Sequence, residues 1–166
     1  MNLINRNINK SMKRYNATFS LKNVNNTKPI YELYTDGGSR GNPGISGSGA
    51  VLYRITNDIK EEIDTREEYI GISTNNVAEY NSLLIGLEMC KKNCIKDVTI
   101  KMDSMLVVNQ ITGKWKVKDT KMKDYNSKCI DVLKYFDNYN ISHVLRKNNK
   151  RADELVNNIL DHVVSK

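Results

Sequence analysis

Tyr34-Thr35-Asp36-Gly37-Gly38-Ser39-Arg40-Gly41-Asn42-Pro43-Gly44 is the stretch on which the fold turns. The apolar run over 30–36 reads as a strand that ends on a carboxylate, and the carboxylate opens a segment almost free of bulk. A central strand ending in Asp and then Gly-Gly can hold a charged oxygen donor at a sheet edge. The glycines let another molecule's backbone come close. That combination suits a metal and a phosphate. It also suits a tight turn, so its weight depends on partners elsewhere in the chain.

Working outward, residues 41–47 read as a turn region and 48–55 as a second strand. Asn57-Asp58 makes a hairpin turn into a third strand over 60–72 with a polar face. Residues 74–93 are the clearest helix. Asn75 or Asn76 can cap it, and Asn76 with Glu79 has the spacing of a capping pair. Val77, Tyr80, Leu84 and Leu87 form its core stripe. A short strand over 97–102 and a short helix over 104–111 follow, and Gly113 ends the helix. After a basic loop around Trp115 come a helix over 122–136, a fifth strand over 139–146 and a last helix over 152–164. The order β-β-β-α-β-α-α-β-α predicts an α/β fold, a mixed five-stranded sheet with helices on both faces.

The chain has 166 residues, 39% of them hydrophobic, which suits one domain of ordinary size plus an extension. No apolar run approaches the ~18–20 residues of a membrane span. The net charge of +7 is uneven. Residues 1–28 carry Arg6, Lys10, Lys13, Arg14, Lys22 and Lys28 and no acid, so the remainder holds 20 basic against 19 acidic residues. The basicity therefore belongs to an Asn-rich N-terminal extension over 1–28, and the folded domain is expected over 29–166. A basic arm suits nucleic acid, an anionic surface or a targeting signal. Ile4, Ile8, Met12, Tyr15 and Phe19 recur at helical spacing between basic residues, as in an organellar presequence. A disordered arm is the other reading, since Asn is a poor helix former.

Cys90, Cys94 and Cys129 make neither a disulfide framework nor a zinc site. Three is odd, and the spacing lacks a second pair. With no secretory signal in view, the expected location is intracellular, in the cytoplasm or nucleus, or in an organelle if residues 1–20 act as a presequence.

Four acids stand where a solvated charge is not the default. Asp36 ends strand one, Glu79 lies in the first turn of the main helix, Asp103 ends strand four, and Asp153 opens the last helix. Strands one and four are the most apolar, so they are expected as central neighbours. If they are parallel, their C-terminal ends lie side by side, where ligand sites of such sheets gather. Clustered carboxylates raise each other's pKa values and are tolerated when cations sit among them. Mg²⁺ takes oxygen ligands and needs few carboxylates when phosphate oxygens complete its shell. Taken singly, each acid also fits a turn, a helix-start charge or a cap.

Together the residues carry a resemblance. Tyr34-Thr35-Asp36-Gly37-Gly38 with Gly41-Asn42-Pro43-Gly44, then Thr74-Asn75-Asn76-Val77-Ala78-Glu79-Tyr80, then Asp103-Ser104-Met105, then Arg146, Asn149, Ala152 and Asp153, look like type 1 ribonuclease H. The motifs stand in the family's order and span roughly 30–164. The resemblance implies a ribonuclease H-like fold. It also implies endonucleolytic, two-metal cleavage of the RNA strand of RNA/DNA hybrids, with Mg²⁺ or Mn²⁺, leaving 3′-hydroxyl and 5′-phosphate ends. It assigns Asp36, Glu79, Asp103 and Asp153 to the metals and the chemistry. Gly37, Gly38, Asn42, Asn75, Asn76 and Met105 match positions lining the hybrid's minor groove, where the 2′-hydroxyl separates RNA from DNA. Arg146 and Asn149 match the segment before the last acid and are expected at the substrate. Trp115, with Lys114, Lys116 and Lys118, resembles the face that follows the DNA strand.

Two departures stand out. Many members carry a histidine in the loop before the last acid, and 147–151 holds none; His143 lies inside the fifth strand pattern. Some members insert a basic handle, for which 112–121 is too short. The expected partner is an RNA/DNA hybrid and the expected state a monomer. A hybrid-binding module that does not cut, or a nuclease of this fold acting on other RNA-containing duplexes, are the alternatives.

Overall fold

The computed structural model describes residues 28–165. The presequence pattern over 1–20 lies outside the described residues. The elements are β1 (Ile30–Gly41), β2 (Gly44–Thr56), β3 (Ile59–Ser73), α1 (Asn75–Lys92), β4 (Asp97–Met102), α2 (Met105–Ile111), α3 (Thr120–Leu133), β5 (Asn138–His143) and α4 (Lys150–Val164), with one 3₁₀ turn at Arg146–Asn148. The sheet order is β3-β2-β1-β4-β5. β1, β2 and β3 form an antiparallel meander, while β4 and β5 lie parallel to β1 and to each other. This is the mixed five-stranded α/β sheet the element order predicts, with β1 and β4 as central neighbours.

Both faces carry helices. α1 lies on one face, with α3 packed against its outer side, and α4 covers β1, β2 and β3 on the other. Leu33, Leu52, Ile100, Met102 and Leu87 form the main core under α1. A full burial of each such side chain contributes roughly 1.5–3 kcal/mol. A smaller cluster of Val51, Ala152 and Leu155 seats α4. α1 is buried on more than the expected stripe: Leu83, Ser82 and Gly86 are inside as well, and Leu84 is only half-buried. A helix held between a sheet and another helix needs more than one inward face.

Several boundaries differ from the sequence expectation, among them β2, which starts at Gly44, and α3, which runs Thr120–Leu133; four differences bear on the site. β1 does not end at Asp36. It runs on to Gly41, and pairing continues to Gly41 opposite Gly44 across a two-residue turn, so no loop occupies 41–47. The reason is that helices close on this strand from both sides. A Cβ at Gly37 would lie 2.1 Å from the Ala78 carbonyl carbon, and one at Gly38 would lie 2.9 Å from Val156 Cγ1. Glycine serves here as close-packed strand rather than as loop. Thr74, not Asn75 or Asn76, caps α1, its side chain accepting from the Val77 N–H. β5 stops at His143, because after the Val144 N–H donates to the Met102 carbonyl the chain leaves the ladder for the 3₁₀ turn that holds Arg146. α4 starts at Lys150, with Asn149 as its N-cap, so Asp153 stands inside the first turn rather than opening the helix.

Candidate active site

The parallel ladder between β1 and β4 ends at Thr35 opposite Met102. The next residue on each strand is an acid, so register alone brings Asp36 and Asp103 side by side. Glu79 comes from α1. The contact of Gly37 with the backbone of Ala78 and Glu79 presses that helix onto the strand end. Ser48 Oγ donates to the Ala78 carbonyl at 2.8 Å, and Asn81 Nδ2 donates to Ser48 Oγ at 3.2 Å, tying the same turn of α1 to β2. Carboxylate oxygens of Asp36, Glu79 and Asp103 lie within 4.8 Å of one another. Asp36 and Glu79 are buried, with 6% and 7% exposure, and Asp103 is half-buried.

Asp153, on α4, is not part of that tight group. Arg146 Nη2 donates to its Oδ1 at 2.7 Å, and Asn157 Nδ2, one turn further along the helix, donates to its Oδ2 at 3.1 Å. It nonetheless lines the same groove of about 280 Å³ as the other three acids. All four predicted acids are therefore brought to one place. Gly37, Gly38, Asn75 and Arg146 line that groove too.

The remaining expected contacts spread outward. Asn42 Oδ1 accepts from the Asn75 N–H at 3.2 Å, fixing the β1–β2 turn against the start of α1. Asn76 is exposed beside it. Met105, at the start of α2, is half exposed, and so is Trp115 on the connection to α3. Asn149 is the exception. It is 1% exposed, and its side-chain amide donates to the Thr35 carbonyl at 2.9 Å and to Asp103 Oδ1 at 2.8 Å. It holds an acid in place instead of facing a substrate. Asn157 was not legible as part of the site, although its i+4 spacing from Asp153 on a helix is a signal that could have found it.

Burial, then the neighbouring Asp103 and Asp153 carboxylates, push Asp36 up to about 7, against the pull of the Arg146 guanidinium and the Gly37 N–H. Burial, then Asp36 and Asp103, hold Glu79 well above the usual carboxylate range. Glu79 Oε2 is buried with no hydrogen-bond partner among the described residues. An unpaired buried carboxylate oxygen is costly. Converging hard-oxygen donors, excess negative charge and an orphaned buried oxygen are what a divalent cation requires. The residues fit such an ion.

A family model described as reverse transcriptase-like matches residues 34–159. A Ribonuclease HI of Halobacterium salinarum is 40% identical over 131 residues, covering 77% of this chain and 63% of that protein. A Ribonuclease H of Hydrogenovibrio crunogenus is 34% identical over 149 residues, covering 80% of this chain and 96% of that protein. The chain belongs to the type 1 ribonuclease H family. Among solved ribonuclease H structures, LC11-RNase H1 in complex with an RNA/DNA hybrid superposes with a TM-score of 0.74 at 37% identity, over 81% of this chain and 99% of that one. The ribonuclease H match leaves part of some relatives uncovered: the chain spans 63% of the Halobacterium protein and 35% of mycobacterial proteins that are 40% identical to it.

Proposed function

We propose that this chain is an endoribonuclease that hydrolyses the RNA strand of RNA/DNA hybrids with two bound Mg²⁺ or Mn²⁺ ions, leaving 3′-hydroxyl and 5′-phosphate ends. The observation that carries it is the convergence of the Asp36, Glu79 and Asp103 carboxylates, with Asp153 across the same groove. Family membership and the hybrid complex of LC11-RNase H1 support the substrate.

Bound divalent ions supply a water of lowered pKa and neutralise charge on the leaving oxygen. The chain's own groups provide the frame. Asp36, Glu79 and Asp103 hold the cations at the end of the parallel ladder, and Asp153 completes the set from α4. The Gly37 N–H works against the upward push of burial on both Asp36 and Glu79. Asn149 fixes the carboxylate of Asp103, and Arg146 fixes that of Asp153. These contacts hold the four carboxyl groups along one groove before substrate arrives, which is preorganisation of an electrostatic site. Asn42, Asn75 and Asn76, at the lip, offer amides to the minor groove and its 2′-hydroxyls. Trp115 and the lysines beside it would follow the DNA strand, their charges facing phosphates. The domain works as a monomer over residues 29–166.

Asp103→Asn tests the assignment. Cleavage falls by at least about 100-fold, since metal-site partners one shell further out already cost 10–100-fold. Hybrid affinity survives, as measured by fluorescence anisotropy. Near wild-type cleavage by this variant would refute the mechanism. Intact hybrid binding by the wild-type chain without any cleavage would point instead to a module that holds hybrids.

A further inference from the structure

Two basic residues line the groove, Arg146 and Arg40. Arg146 is taken up by Asp153 and the other acids. Arg40 stands elsewhere. Asp36, Gly38 and Arg40 alternate along β1 toward α4, since Gly38 abuts Val156 and Arg40 Nη2 donates to Asp161 Oδ1. On α4, Asp153, Asn157 and Asp161 follow at i, i+4 and i+8 along one side of the helix, and the first two line the groove. Eight residues of helix span ~12 Å. The groove therefore has four carboxylates at one end and a guanidinium at the other.

We propose that Arg40 is a substrate-positioning residue that binds a backbone phosphate of the hybrid a few nucleotides from the cut, with Asp161 occupying its guanidinium until substrate arrives. This rests on the ribonuclease H activity proposed above. The chemistry supports the exchange. A carboxylate and a phosphate present the same paired oxygens to the planar fork of an arginine. The Arg40 and Asp161 side chains are 40% and 69% exposed. An ion pair that open to water contributes little, so replacing one anion by another costs little. At the acidic end, the same phosphate backbone meets carboxylates. A fixed cation at the far end sets the register of the strand against them, which positions the cleaved bond without reading sequence.

The test measures hybrid binding in the full-length Asp103→Asn chain, across about 50–300 mM NaCl, with a labelled RNA/DNA duplex as probe. Arg40→Gln should lower the slope of log affinity against log salt by about 0.9, the loss of one phosphate contact. It should weaken binding about 3–10-fold at the low-salt end, alike for duplexes of different sequence. Arg40→Lys should keep the slope, which separates charge from any effect on folding. Asp161→Asn should tighten binding about twofold when Arg40 is present, and by less in the Arg40→Gln background. An unchanged slope in Arg40→Gln, or weaker binding in Asp161→Asn, overturns the inference and leaves an ordinary surface ion pair. Failure of the Asp103→Asn parent itself to bind hybrid would overturn both this inference and the function on which it rests.

Discussion

At the residue scale, the behaviour of Asp36 follows from where the ladder stops. The strand delivers it into a buried position beside another acid, and its carboxyl is pushed up to about 7, first by burial and then by Asp103 and Asp153. An unfolded chain releases this proton near 3.8. Between these values the folded form binds more protons, so the stability of the metal-free protein falls as pH rises from about 4 to about 7. Glu79 is shifted the same way and adds to the slope. Asp36→Asn removes the buried charge. It should raise the melting temperature of the metal-free protein at pH 8, by roughly 2–4 °C per kcal/mol recovered, with the gap closing toward pH 4. Saturating Mg²⁺ should raise the wild-type melting temperature at pH 8 far more than that of Asp36→Asn, because binding to the folded form alone stabilises it. Melts by circular dichroism in EDTA and in Mg²⁺ decide both points; a metal-free protein more stable at pH 8 than at pH 5 would contradict them. Asn149→Ala should lower activity about 10–100-fold and raise the Mg²⁺ needed, as loss of a ligand-orienting partner does. A Mg²⁺ titration of cleavage rate checks this.

At the element scale, the two glycines after Asp36 have separate packing partners. Gly37 meets the backbone of α1, which cannot yield, and Gly38 meets a side-chain methyl of α4, which can. Gly37→Ala should therefore destabilise by more than the ~1–3 kcal/mol typical of overpacking, and Gly38→Ala by about 1 kcal/mol. Urea unfolding measures both; equal costs would show that α1 moves as readily as Val156. The four acids were legible in the sequence because their order and flanking motifs are specific, although Glu79 stands in the second turn of α1 rather than the first. The extent of β1 was not, since Gly37-Gly38 reads as loop until the helices on either side are known. The cap of α1 was displaced by one residue because Thr74, Asn75 and Asn76 are all competent caps. Asn149 reads as a substrate amide in one dimension. Only the fold shows that the turn before α4 buries it against Thr35 and Asp103.

At the scale of the whole molecule, the sheet order places β4 beside β1 and parallel to it, so that the ends of the two strands meet α1 and α4 together. Carboxylates from two strands and two helices on opposite faces thus reach a single groove. The proposed activity of this groove is the cutting of RNA paired to DNA. The direct measurement offers one labelled RNA as RNA/DNA hybrid, as RNA/RNA duplex and as single strand, in Mg²⁺, Mn²⁺ and EDTA, with the product ends identified. Internal cuts are expected in the hybrid alone, only with metal, leaving 3′-hydroxyl and 5′-phosphate ends. An uncut hybrid in both metals, or cleavage that persists in EDTA, would contradict it.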